Sequence, residues 1–162
     1  MFRLAFAAAV LMVAASSVPV AAASPQVVAD LEGRPLRTSS IPDYYCHDRD
    51  FPLIHCYRTS AGLQSALAAP AGLSALSSTD YVVVYSSPTY AGSYFYVSQN
   101  YDALAVVGWN DRIRSYRGLN GASGSFWTDW FESGTGQLFC CNQTVPVLSA
   151  TFDHQFSSVY RG

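Results

Sequence analysis

Two short runs of β-branched and aromatic residues, at 81–85 and 93–97, dominate the hydrophobic pattern of the chain. A turn that contains Pro88 and Gly92 separates them. Such runs on either side of a Pro/Gly turn predict a β-hairpin. Because side chains alternate along a strand, one set should face the core. This set is Tyr81, Val83 and Tyr85, with Phe95 and Val97.

The order of these features returns further along the chain. Residues 109–115 align with residues 152–158, 43 positions later, and Gly92 aligns with Gly134, 42 positions later. A period of about 40 residues that contains only strands indicates one duplicated supersecondary unit. Two such units can bury a common core that a single hairpin could not stabilise.

The first unit carries Tyr85, Tyr90 and Gly92 in its hairpin, and then the loop 110–115 with the order Asn-Asp-x-x-x-Ser. This arrangement resembles the βγ-crystallin Greek key. In that family an aromatic corner stabilises the hairpin, and a loop of this kind ends the motif. The resemblance covers residues 81–162 and implies an all-β, βγ-crystallin-like sandwich of two Greek keys.

The second unit departs from the family pattern at the corner. Glu132 stands where the resemblance implies an aromatic residue, and Phe131 precedes it. Together with the features described below, the resemblance divides the chain into three parts. They are a signal peptide at 1–23, an N-terminal arm with a cysteine loop and short helix at 24–78, and the βγ-crystallin-like domain at 79–162.

The first 23 residues have the features of a secretory signal peptide. Arg3 gives a positive start, residues 4–20 form a short apolar run, and residues 20–23 supply small residues for cleavage. We expect the mature chain to be secreted, with no membrane attachment after cleavage, because no later stretch is apolar enough to span a bilayer.

Composition supports β-structure and argues against nucleic acid as a partner. Eleven Tyr, nine Phe and three Trp favour strands. The nine basic residues are all arginine, and the formal net charge of −2 leaves no basic patch. The same lack of a cationic surface argues against a small secreted toxin.

The first two cysteines lie in a compact pattern, Cys46-His47 and His55-Cys56. One interpretation is a zinc site, although zinc fingers use other spacings. In an exported protein a disulfide is the better interpretation.

Cys140 and Cys141 are adjacent, and adjacent cysteines rarely bridge each other because the backbone geometry is strained. The sequence favours a Cys46–Cys56 bridge, which leaves this adjacent pair unresolved. The alternative is that both N-terminal cysteines tie the arm to Cys140 and Cys141.

The rest of the arm should contain little β-structure. Residues 24–42 are predicted to be a loosely attached arm with one short strand near 36–41. Leu63 and Leu67, four positions apart, predict an amphipathic helix that ends at Pro70 and packs on the β-domain.

The βγ-crystallin resemblance implies calcium sites that combine the polar loop of one key with the hairpin of the other. Arg114 stands at a ligand position of the first loop, and a guanidinium has no acceptor. The second loop offers Asp153, Gln155 and Ser157, with Ser86 from the partner hairpin. We expect at most one weak site. Alternatively, the loops are purely structural, with Asn110, Asp153, Ser115 and Ser158 satisfying backbone groups without any ion.

No spacing supports a catalytic constellation, so we expect a non-enzymatic protein that requires no cofactor. The first hypothesis is a secreted structural or binding module, monomeric, with weak calcium binding at most. The alternative rests on the loop 109–115, which resembles that of secreted bacterial metallopeptidase inhibitors of this fold. Its partner would be a secreted peptidase.

Overall fold

The computed structural model describes residues 26–68 and 80–162. The predicted signal peptide and Pro70 lie outside these residues. The described residues form one α-helix and eleven strands. In chain order these are β1 Val28–Leu31, β2 Arg34–Leu36, β3 Tyr45–Asp50, β4 Leu53–Tyr57, α1 Ser60–Ala68, β5 Tyr81–Tyr85, β6 Tyr94–Val97, β7 Ser115–Leu119, β8 Gly124–Trp127, β9 Gly136–Phe139, β10 Thr144–Val145 and β11 Ser158–Arg161.

The strands form two sheets. The third strand of each key pairs with a strand in the sheet of the other key. The large sheet has the order β10-β7-β5-β6-β3-β4-β1-β2, and the small sheet has the order β11-β8-β9. β10 of the second key pairs with β7 of the first. Reciprocally, Tyr101 of the first key bridges Val159 in β11. This exchange confirms the predicted all-β sandwich of two Greek keys.

Backbone angles confirm the predicted alignment of the two keys. Residues 89–90 have φ angles of 56° and 61°, and residues 131–132, 42 positions later, have φ angles of 56° and 55°. Gly92 and Gly134 also match, with φ angles of 77° and 79°. A Cβ at either glycine would lie 2.4 Å from a side-chain hydroxyl oxygen, so both corners need glycine.

The N-terminal stretch differs from the loosely attached arm that the sequence predicts. β3 pairs in parallel with β6, and β4, β1 and β2 continue the large sheet beyond it. The reason is apolar burial, because Leu31, Ile54, Cys46 and Cys56 all enter the core that the keys share. The division of the chain into an arm at 24–78 and a domain at 79–162 stays a prediction.

The strand β5 is buried on both faces, which makes its predicted inward set wrong. Val82 and Val84 face the core between the sheets together with Phe95 and Val97. Val83 and Tyr85 instead face a second apolar layer, under α1. With valine at 82, 83 and 84, alternation could not distinguish the two faces.

Helix α1 packs on that outer face, as predicted. Leu63 is fully buried there beside Tyr94. Gln64 Nε2 donates hydrogen bonds to the hydroxyls of Tyr94 (3.2 Å) and Tyr96 (3.0 Å). The helix therefore covers part of a tyrosine-rich layer on the large sheet.

Both disulfides are local. Cys46 and Cys56 face each other across β3 and β4, with their Cα atoms 4.1 Å apart, which confirms the favoured pairing. Cys140 is bonded to Cys141, so the adjacent pair that the sequence left unresolved bridges itself. The alternative pairing between the arm and the second key is not found. Bonding of Cys46 to Cys56 also removes the thiolates that a zinc site there would use.

Candidate functional site

The polar loops of the two keys lie against each other. The backbone N–H of Asp111 donates to the carbonyl of Phe156 (3.0 Å), and the N–H of His154 donates to the carbonyl of Ile113 (3.2 Å). These two hydrogen bonds relate residues at equivalent positions of the repeat. The loops therefore meet through a near-symmetric interface, which contains the residues of the predicted calcium loops.

An ion pair between the keys lies at this interface. Arg114 Nε donates to Asp153 Oδ1 (3.1 Å), and Arg114 Nη2 donates to Asp153 Oδ2 (3.0 Å). The hydrogen bond from the Arg114 guanidinium lowers the pKa of Asp153 below its ordinary value. A bidentate pair of this kind keeps the Asp153 carboxylate ionised and fixes its orientation.

The two serines among the predicted ligands have protein partners as well. Ser157 Oγ contacts Asp111 Oδ1 at 3.5 Å, and Gln155 is exposed. Ser86 accepts a hydrogen bond from Ser93 Oγ (2.9 Å). Ser86 follows Tyr85, whose carbonyl accepts from the N–H of Arg114 in the first loop. The N–H of Ser157, in the second loop, donates instead to the carbonyl of Trp127.

This donor set fits calcium poorly. Calcium needs six to eight oxygen ligands. Both Asp153 oxygens already accept from a guanidinium, and its positive charge would repel a divalent cation. Ser86 lies beside the first loop, whereas Asp153, Gln155 and Ser157 lie on the second. The four-residue site stays a prediction, and the Arg114 guanidinium already occupies the Asp153 carboxylate.

We expect Arg114→Ser to make the fold responsive to calcium. The substitution frees the Asp153 carboxylate and adds a hydroxyl, so millimolar calcium should raise the melting temperature of the variant by several degrees. Wild type should move much less, because any site there lies at the weak end, with a dissociation constant of about 10⁻⁴–10⁻³ M. Thermal melting with calcium and with chelator measures both.

Arg114→Ser/Asp153→Asn is the matched control, since it also lacks the guanidinium but has no carboxylate at 153. A calcium response of wild type equal to that of Arg114→Ser would show that the guanidinium does not block the site.

His47 and His55 face each other across β3 and β4. His55 lies between two carboxylates, with Nδ1 2.7 Å from Asp30 Oδ2 and Nε2 3.3 Å from Asp50 Oδ2. Burial, with the neighbouring His55, lowers the pKa of His47 to about 4. Over residues 26–68 and 80–162, the hydrogen bonds of histidine rings join His47 to the Arg49 N–H and His154 to the Asp111 carbonyl, and all four cysteines are in disulfides.

The corner of the second key presents aromatic side chains that sequence reasoning did not single out. In the first key Tyr90 packs on Tyr85, with ring centroids 5.6 Å apart, and lies under the Arg117 guanidinium at 3.6 Å. In the second key Glu132 takes the position of Tyr90. Phe131 is 69% exposed and Trp130 is 51% exposed. We call these two residues the aromatic corner.

A groove of about 460 Å³ adjoins the aromatic corner. Its walls are formed by the residue before β1, the β3–β4 turn, residues 100–106 of the first key and the corner itself. The lining residues are Val27, Phe51, Asn100, Tyr101, Asp102, Ala103, Val106 and Phe131. The departure of the second key from the corner pattern was the available sequence signal. The groove itself could not be foreseen, because the arm supplies one of its walls.

The strand exchange and the matching backbone angles of the corners define a sandwich of two Greek keys. Solved structures of βγ-crystallin domains are similar to this chain in fold. A βγ-crystallin from Ciona intestinalis is 18% identical over 51% of this chain and 99% of its own, with a TM-score of 0.46. A βγ-crystallin domain from Flavobacterium johnsoniae is 24% identical over 48% of this chain and 89% of its own, with a TM-score of 0.43. A βγ-crystallin from an archaeon is 18% identical over 52% of this chain and 99% of its own, with a TM-score of 0.44. No family model and no curated protein matches the chain.

Proposed function

We propose that the chain is a secreted, non-enzymatic binding protein that holds its partner at the aromatic corner. The observation that carries this proposal is the exposure of two neighbouring aromatic side chains, Trp130 and Phe131, beside a groove. Contiguous exposed apolar surface on a small protein marks interaction sites. Tryptophan is also among the residues that contribute most to binding energy at interfaces.

The backbone of the corner is held in place before any partner arrives. Phe131 N–H donates to the carbonyl of Asp102 (3.0 Å), and Asp129 N–H donates to the carbonyl of Ser133 (3.1 Å). Ser158 Oγ donates to the carbonyl of Asp129 (2.7 Å) and ties the corner to β11. A preorganised surface loses less conformational entropy on binding, which favours affinity.

Two disulfides accord with an oxidising compartment, which supports secretion. Among the described helices, none is long and apolar enough to cross a membrane. The fold is held by its own ion pairs and bridges, so we propose that it requires no cofactor and binds calcium weakly at most.

Removal of the aromatic corner should abolish partner capture. We expect the mature wild-type protein to retain a specific protein from the secreted proteins of its source, and Trp130→Ala/Phe131→Ala to lose it, because the apolar contact area is gone. Leu138→Ala is the matched control, since Leu138 is 77% exposed on β9 but does not line the groove. Quantitative mass spectrometry of the three eluates measures retention.

Equal retention by wild type and the double variant would reject the aromatic corner as the binding site. The metallopeptidase-inhibitor alternative makes a further demand. The retained protein must then be a metallopeptidase, and its hydrolytic activity must fall on addition of wild type but not of Trp130→Ala/Phe131→Ala.

A further inference from the structure

The groove beside the aromatic corner is formed before binding, and its walls come from separate parts of the chain. Tyr101 is fixed by two backbone hydrogen bonds with Val159 (2.8 and 3.1 Å) and packs edge-on against Phe51, with centroids 6.1 Å apart. Val106, 45% exposed, and Phe131 leave apolar surface open to a partner. A volume of about 460 Å³ suits one or two side chains of a peptide segment.

The edge, or rim, of the groove carries negative charge that no ion pair among the described residues compensates. Asp102 lines the groove, and Glu132 follows Phe131 in the chain; both carboxylates act on the hydroxyl of Tyr160, and both residues are exposed. The ion pairs among the described residues use other carboxylates, those of Asp30, Glu32, Asp50, Asp80 and Asp153. Asp102 accepts from the hydroxyl of Tyr160, which leaves its charge in place.

Arg161 reaches the groove lining through its backbone but does not neutralise this rim. The backbone N–H of Arg161 donates to Asn100 in the groove lining, but its guanidinium points elsewhere. Nη1 donates to the carbonyl of Val97 (2.7 Å), and Nη2 pairs with Asp80 (2.7 Å). The groove therefore combines an apolar interior with an acidic rim.

We propose that the groove binds an extended cationic peptide segment, with one aliphatic side chain inserted beside Phe131 and basic residues on either side of it. This inference rests on the proposed function and gives the chemical class of the partner. Opposite charges at the rim speed encounter and select the partner, while the apolar contact supplies most of the affinity.

A second copy of this chain is a poorer occupant. Two described stretches place an aliphatic residue between arginines, residues 34–37 and residues 112–114. Neither aliphatic side chain is available to insert, because Leu36 packs against the core and Ile113 is fully buried in it. The occupant is therefore expected to be another protein.

The test uses the mature protein and three capped peptides that lack tryptophan. The first is acetyl-Arg-Gly-Leu-Gly-Arg-amide; the second has glutamate for both arginines, and the third has serine for leucine. We expect saturable binding of the first alone, by calorimetry and by a change in the tryptophan fluorescence of the protein. A rise of the salt concentration from about 0.05 M to about 0.5 M should weaken it several-fold, because the rim charges are exposed.

Variants assign this binding to the groove. Phe131→Ala should lower the affinity for the first peptide by about tenfold, as expected for an interface anchor. Asp102→Asn/Glu132→Gln should weaken it several-fold and remove most of the salt dependence. Leu138→Ala and Asp43→Asn, both at exposed positions outside the groove, should leave it unchanged.

Three results would overturn the inference. They are equal binding of the glutamate peptide, affinity unchanged in Phe131→Ala, and sedimentation that shows self-association through the groove. Partner capture that needs the aromatic corner but does not change in Asp102→Asn/Glu132→Gln would leave the proposed function in place and reject the cationic peptide. Capture that is independent of the corner would reject both.

Discussion

Replacement of Asp48 with alanine is expected to lower the free energy of unfolding by about 4 kcal/mol, because several buried donors lose their partner together. Asp48 lies on β3 and is fully buried. Its carboxylate accepts from Ser98 N–H (2.8 and 3.0 Å), Ser98 Oγ (2.7 Å), Gln99 N–H (3.2 Å) and the Tyr101 hydroxyl (3.0 Å). This one side chain thus joins the N-terminal strands to the first key.

Urea denaturation of the two proteins measures the effect. Asp43→Ala removes an exposed carboxylate from the same region and should change stability by less than about 0.5 kcal/mol. Asp48→Asn is the milder variant to use if alanine prevents folding, since the amide oxygen can still accept from Ser98. A cost below about 1 kcal/mol for Asp48→Ala would mean that water or a backbone shift satisfies the donors.

The same carboxylate should give stability a distinctive pH dependence. Burial raises the pKa of Asp48 from 3.8 to about 6, while hydrogen bonds from Ser98, Tyr101 and Gln99 favour the ionised form. The folded state therefore binds this proton more tightly, and the stability it contributes is lost as pH rises from about 4 through 6. The stability of wild type relative to Asp48→Asn should fall by about 2 kcal/mol across that window.

His47 acts in the opposite direction over the same range. Its folded-state pKa is about 4, below the ordinary 6.5, so the unfolded chain binds the proton more tightly. Its contribution to stability falls as pH drops from 6.5 to 4. Because both proteins contain His47, the difference between wild type and Asp48→Asn isolates the carboxylate. A difference that grows with pH would contradict the raised pKa.

The two disulfides should differ greatly in what they contribute. Cys46→Ala/Cys56→Ala is expected to cost about 3–5 kcal/mol, because the bridge constrains a loop in the unfolded chain and its sulfurs fill the core. The two cysteines are 10 residues apart in sequence and fully buried. Cys140→Ala/Cys141→Ala should cost less than about 1 kcal/mol, since adjacent cysteines close almost no loop and both are exposed.

Urea denaturation of both double variants under oxidising conditions tests this, with reduced wild type as the reference for loss of both bridges. Comparable costs for the two pairs would show that the Cys140–Cys141 bridge holds the β9–β10 turn. That turn is otherwise held by Cys141 N–H, which donates to the carbonyl of Ala122 (3.0 Å).

The prediction of two Greek keys rested on the periodic hydrophobic residues and on the residues that form turns. Gly92 and Gly134 occupy positions that need a positive φ, and their spacing was enough to align the keys. The role of the arm was not predictable in this way. β3 pairs in parallel with a strand far along the chain, and such a pairing leaves no local turn in the sequence.

The candidate site was partly predictable for a similar reason. Arg114 could be identified as unsuitable for calcium from its chemistry alone. Its partner, Asp153, could not be foreseen, because the contact joins the two keys across 39 positions of sequence. In the sequence, Glu132 marked the second corner as unusual. The exposure of Trp130 and Phe131 could not be predicted, because it depends on which neighbouring segments cover them.

The exchange of third strands between the sheets has a consequence for how the chain folds. The small sheet is complete only when Tyr101 reaches β11, and the large sheet gains β10 only after the second key has been made. Neither half can reach its final hydrogen bonding first, so productive encounters must join segments distant in sequence. Domains dominated by such contacts cross their folding barrier in about milliseconds to seconds. A cut between the keys, near residue 121, should leave two fragments that acquire structure only when mixed.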